Sequence, residues 1–141
     1  MSASLNISPD DPCPCELGPA YKRCCGLVHR RRGQGTPEAV VRARYCAYVV
    51  DLPRYILAST HPDSPHFEKD ARGWTEDIRH FCSMTQFDGI EVIDEEIIGD
   101  EAWVTFEVYL TQDGQDASFT ERSCLRQHRG RWVFWDAELV S

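Results

Sequence analysis

The chain has 141 residues, a net charge of -8 and 42% hydrophobic residues, which suits one compact domain with a small appendage. The acidic balance argues against generic DNA binding, and no apolar run approaches the roughly 18 residues that would span a membrane. The start, MSASLNISPDDP, has neither a basic segment nor an apolar core of the secretory kind, so a soluble cytoplasmic protein is expected.

In chain order, the first element is a cysteine cluster. Cys13 and Cys15 are followed eight residues later by Cys24 and Cys25, four of the chain's seven cysteines. An odd total argues against a closed set of disulfides, and clustered thiols in a reducing compartment bind metal or do chemistry. Four thiolates suit one tetrahedral, structural zinc ion. An iron–sulfur centre is the alternative for an all-sulfur set. Cys46, Cys82 and Cys124 are scattered among apolar residues and read as small core hydrophobes.

Charge divides along the chain. Residues 1–32 hold five basic and three acidic side chains, whereas residues 33–141 hold ten and twenty. The basic set is Lys22, Arg23, Arg30, Arg31 and Arg32, so a small basic arm precedes an acidic body. Gly33, Gly35, Thr36 and Pro37 read as a linker leading into a helix, with Thr36 as N-cap and Pro37 as first helical residue.

Val41, Tyr45, Tyr48 and Leu52 then form one apolar helical face. Asp51 and Pro53 mark a break and a second helix, which should stop near His61 because Pro62 disfavours helix there. A third helix covers about Asp70 to Met84, with Trp74, Ile78 and Phe81 on one face. After Gly89 the period becomes two. Strands are expected over Ile90 to Ile98, Ala102 to Leu110, Phe119 to Arg126 and Trp132 to Leu139, joined by short turns. Helices first and an antiparallel meander second make an α+β fold.

The cysteine segment resembles the SEC-C motif, the zinc knuckle at the C-terminus of the SecA preprotein-translocase motor. The resemblance rests on Asp11, Pro12, Cys13, Pro14, Cys15, Gly18, Tyr21, Lys22, Arg23, Cys24, Cys25 and Gly26. The chain departs from the motif at Glu16 and Leu17, where Gly-Ser is usual, and at Pro19 and Ala20, where basic residues are usual. The body extends the likeness through Arg42 to Tyr48, Thr60-His61-Pro62, Glu121-Arg122-Ser123, Gly130-Arg131-Trp132 and Asp136. Together these are similar to bacterial YchJ-like proteins, which join a SEC-C knuckle to an NTF2-like domain.

That resemblance implies a zinc-binding arm over residues 1–32. It implies an NTF2-like cone over residues 33–141, with helices packed on a curved, mainly antiparallel sheet. It carries no biochemical activity with it. The cone's pocket candidates are Tyr45, His61, Glu121 and Arg122, with Asp136 beside them. Glu121 shares a strand face with Phe119, Ser123 and Leu125. It reads either as a perturbed acid or base or as half of a buried ion pair with Arg42 or Arg44. His61 at a helix end reads as a cap or packing residue, while His29, His66, His80 and His128 read as surface residues. The four tryptophans read as core.

No nucleophile motif, phosphate loop or catalytic metal set occurs, so no catalytic residue is assigned. Two functions remain. One is an adaptor whose knuckle docks on a protein or ribosomal partner. The other is a small-ligand binder or enzyme that uses the cone.

Overall fold

The structure is a computed structural model and describes residues 7–30 and 35–140. Arg31, Arg32 and the expected 32/33 domain boundary lie outside the described residues. A 3₁₀ turn at Tyr21–Arg23 leads into helix α1 (Cys25–Arg30), followed by α2 (Pro37–Val49), α3 (Pro53–Ala58) and α4 (Ala71–Ser83). The strands are β1 (Thr85–Ile98), β2 (Glu101–Gln112), β3 (Gln115–Asp116), β4 (Phe119–His128) and β5 (Arg131–Val140). Among the described residues, four α-helices and a curved antiparallel sheet make the expected α+β cone.

Local chemistry sets the helix starts. Thr36 accepts the Ala39 amide at 3.1 Å with Pro37 directly behind it, and Asp70 accepts the Gly73 amide at 3.1 Å ahead of α4. The end of α3 is tied to the sheet instead. The His61 amide donates to the Phe134 carbonyl at 2.8 Å, and the Phe134 amide donates to the Ser59 carbonyl at 2.7 Å.

The sheet runs in the order β1-β2-β4-β5, with the short β3 paired to β2, and every pairing of strands is antiparallel. Asp113-Gly114 and Arg129-Gly130 both take positive φ at two successive positions, the geometry of tight hairpin turns. The expected strand at Ile90 starts five residues earlier, at Thr85. Gly89, read as a boundary, is a bulge inside β1 with φ +151°.

Ala102, Val104, Val108 and Leu110 on β2 and Leu125 on β4 face the helices and are buried. The outer face carries Trp103 and Trp135, so neither is a core residue. Arg122 stacks over Trp103 at 4.2 Å and Arg126 over Trp135 at 3.8 Å.

Candidate metal centre and cone cavity

Cys13 and Cys15 sit on a tight loop closed by the Pro12–Ala20 bridge and by the Tyr21 amide donating to the Asp11 carbonyl at 2.8 Å. Cys24 and Cys25 sit where the 3₁₀ turn passes into α1. Chain reversal brings the two pairs together, and all four Sγ atoms lie within 4.8 Å of one another. Tetrahedral zinc with four thiolates sets its sulfurs about 3.8 Å apart. The Cys15 to Cys24 separation of 3.4 Å is close to that.

The electrostatics also call for a cation. Hydrogen bonds from Cys13 and Cys25 draw the Cys15 thiol far down, whereas Cys13 and Cys15 push Cys25 up. Burial, then Cys15, pushes Cys24 up to about 12. Thiols packed this closely cannot all ionise unless a metal takes up the charge. Four close cysteines can therefore hold a metal ion.

Two backbone positions shape the knuckle. Glu16, where the SEC-C motif usually has glycine, has φ 65°, a conformation costing a side chain roughly 1–2 kcal/mol. Gly26 allows α1 to lie on the preceding turn. A Cβ there would meet the Tyr21 carbonyl oxygen at 2.6 Å.

The knuckle is seated on the body rather than standing off as an arm. Cys13, Cys15 and Cys25 are each no more than 2% exposed and share one core with Ala43, Cys46 and Ala47 of α2. Cys46, expected to be an ordinary core residue, places its sulfur 3.6 Å from that of Cys13. Arg42 Nη1 donates to the Cys15 carbonyl at 3.3 Å, and its Nε pairs with Glu38 at 2.9 Å.

His29, expected at the surface, is half-buried in this seam. Its Nε2–H donates to the Ala43 carbonyl at 2.7 Å, which leaves Nδ1 to accept the Tyr21 hydroxyl at 2.6 Å.

The second feature is a cavity of about 490 Å³ between the helices and the inner sheet face. Two of the four pocket candidates, Tyr45 and Glu121, line it. Arg122 follows Glu121 on β4 and so points to the opposite face, toward Trp103. His61 also lies outside, 4.7 Å from the His128 ring and 4.9 Å from Trp135, with Nδ1 accepting the Asp63 amide. The expected convergence of His61, Glu121 and Arg122 is therefore not found.

Glu121 accepts the Ser123 hydroxyl at 2.7 Å, and no arginine lies within 4.0 Å of it among the described residues, so the expected ion pair is absent. Arg44, weighed in the sequence only as an ion-pair partner of Glu121, is a cavity-lining guanidinium, and His66, read as a surface residue, pairs with Asp136 at 2.8 Å. Arg44 was detectable: it is three residues beyond Val41, on the stripe that includes Tyr45 and Tyr48.

Residues 36–137 match the family described as YchJ, middle NTF2-like domain. A UPF0225 protein of Deinococcus radiodurans is 35% identical over 130 residues, covering 92% of this chain and 90% of that protein. The chain belongs to the YchJ-like family. A UPF0225 protein of Vibrio vulnificus is 33% identical over 128 residues, 88% of this chain and 72% of its own.

The solution structure of a SEC-C motif containing protein from Rhodopseudomonas palustris is 31% identical with TM-score 0.77. It covers 92% of this YchJ-like chain and 99% of its own. A Mycobacterium tuberculosis LEH-like epoxide hydrolase, 14% identical with TM-score 0.52 over 72% of this chain and 80% of its own, shares the fold alone.

Two outcomes follow from the knuckle's seat. Gly26→Ala forces the Tyr21 backbone to move and should cost ~1–3 kcal/mol, measured by denaturant unfolding; an unchanged midpoint contradicts the packing described. Burial holds the His29 imidazole below its ordinary 6.5. Its folded value lies below its unfolded one, so its contribution to stability is complete above pH 6.5 and is lost as pH falls through the folded value. A ring-proton titration by NMR should place the His29 midpoint below 6.5, and a midpoint above it contradicts the neutral bridge.

Proposed function

We propose that the chain is a zinc-binding interaction protein whose knuckle docks on a protein or ribosomal partner while the cone holds the knuckle rigid. The observation carrying this reading is the one-sided burial of the cysteine cluster. Its inner side is spent on α2, and a closed four-thiolate set has no open position for catalysis. The exposed surface of the knuckle includes the outer tip, Glu16 to Pro19, with Leu17 55% exposed, and the neighbouring Arg23. Lys22 is paired with Asp10 at 2.7 Å and Arg30 donates to the Lys22 carbonyl, so part of the basic charge is internally committed.

Elemental analysis of protein purified without chelator should give one zinc per chain. Cys24→Ser should release it. Because the ligands share a core with α2, the body should then melt several degrees lower, at roughly 2–8 °C per kcal/mol. Cys46→Ala should retain the zinc. Metal-free wild type that zinc fails to load removes the reading.

Docking is tested by co-sedimentation with purified ribosomes and by capture from lysate. Leu17→Asp and Arg23→Glu should each weaken recovery several-fold without changing zinc content. Electrostatic recovery should also fall as salt rises. Recovery indifferent to both substitutions means that the tip is not the docking element.

A specific observation favours a second reading, small-ligand binding in the cone. The cavity of about 490 Å³ lies within the range typical of small-molecule sites, and its wall is mostly apolar with a few polar groups.

A further inference from the structure

Arg44 enters the cavity from α2 with only part of its donor capacity used. Nη1 donates to Ser59 Oγ at 2.7 Å, Thr60 Oγ1 at 3.1 Å and the Ile56 carbonyl at 3.3 Å. Both hydroxyls commit their own hydrogens elsewhere, Ser59 to the Tyr55 carbonyl at 2.6 Å and Thr60 to the Ile56 carbonyl at 2.7 Å. They are therefore pure acceptors toward Arg44 and fix the guanidinium in one orientation. The Phe134 ring lies beneath it, 4.5 Å from ring centre to guanidinium carbon.

Nε and Nη2 have no hydrogen-bond partner among the described residues, and neither is sealed from accessible space. Those two nitrogens form the side edge of the guanidinium, the fork that receives a carboxylate through two parallel bonds. No carboxylate of the chain lies within 4.0 Å of it among the described residues. Burial works against its charge, which an anion at this edge would offset.

We propose that the cone binds a small organic monocarboxylate, with an apolar or aromatic body in the cavity and its carboxylate on the Nε–Nη2 edge of Arg44. The proposal rests on the small-ligand reading above and names its ligand class. Phe81, Phe87, Phe106 and Phe119 supply the apolar wall. The Tyr48 hydroxyl, also without a hydrogen-bond partner among the described residues, is a second donor at that wall. Charge sets the valence. Among the described residues Arg44 is the one arginine or lysine lining the cavity, while Asp77 and Glu121 are carboxylates on the same wall. A monoanion matches one guanidinium, whereas a phosphate dianion would leave excess negative charge beside two acids.

The test titrates the full-length protein with hexanoate, cinnamate and 1-naphthylacetate, alongside 1-naphthylacetamide and 1-naphthylmethylamine, by calorimetry and ¹⁵N NMR. At least one carboxylate should bind. For the naphthyl series, the neutral amide should bind tenfold or more weakly than the acid. The Arg44 Nε–H resonance should shift with the bound acid. Arg44→Met should erase the difference between acid and amide. Where that variant fails to fold, the acid-to-amide ratio and the Nε–H shift in wild type decide the matter.

Equal binding of acid and amide, or binding of the amine alone, overturns the carboxylate proposal and leaves the small-ligand reading standing. Absence of binding by all five probes at millimolar concentration overturns both.

Discussion

The structure depends on one helix buried on two sides. On α2, Arg42, Ala43 and Cys46 recur at helical spacing and meet the knuckle, while Val41, Arg44, Tyr45 and Tyr48 recur at the same spacing and line the cavity. The knuckle side is made of small residues. Ala43, Cys46 and Ala47 are fully buried, so the Cys13–Cys15 loop lies directly on the helix. The cavity side is large and aromatic and leaves space unfilled. One helix thus places the cysteine cluster and the cavity back to back.

This arrangement changes what a metal held by the four cysteines would do. A knuckle on a free arm would fold or unfold with its ion and leave its neighbours indifferent. Here the ligand sulfurs belong to the same apolar cluster as α2, and His29 and Arg42 add polar ties across the seam. The cluster's affinity for a metal would therefore become body stability through shared packing. Glu16 adds a further link. Its Oε1 is so near the Gly89 bulge that a Cβ there would lie 3.1 Å from it, so the strained position in the knuckle loop is opposite the irregular position in β1.

Chemistry that is local in sequence was legible. Cysteine spacing indicated the metal cluster, Thr36 and Asp70 marked helix starts, and alternation along Ala102 to Leu110 marked the inner face of β2. What was not legible depended on tertiary placement or on the parity of adjacent strand residues. Gly89 looked like a boundary because a bulge and a turn call for the same residue. Glu121 and Arg122 were placed in one pocket although adjacent strand residues face opposite ways. Cys46 and His29 looked ordinary because nothing near them in sequence shows that the knuckle folds back onto α2. Arg44 was legible as a buried cation for Glu121, but its place in the cavity wall, with Val41, Tyr45 and Tyr48 of the same apolar stripe, depended on the tertiary fold.

The cavity itself requires a physical account. A dry void of about 490 Å³ would cost on the order of 10 kcal/mol at ~24 cal/mol per Å³, comparable to the whole stability of a domain. The cone avoids that cost by being open, with the half-exposed His66 among its lining residues, so the space is available to solvent or ligand. The fold had the means to close it, because Trp74, Phe81, Phe87, Phe106, Phe119 and Phe134 all reach the wall. They line the space without filling it, and Arg44 is clamped by two hydroxyls with its outer edge left open. A cone needed only as a platform for the knuckle would gain stability by collapsing these rings inward. Holding them apart around an oriented charge gives up that stability, a cost that the proposed ligand site would explain.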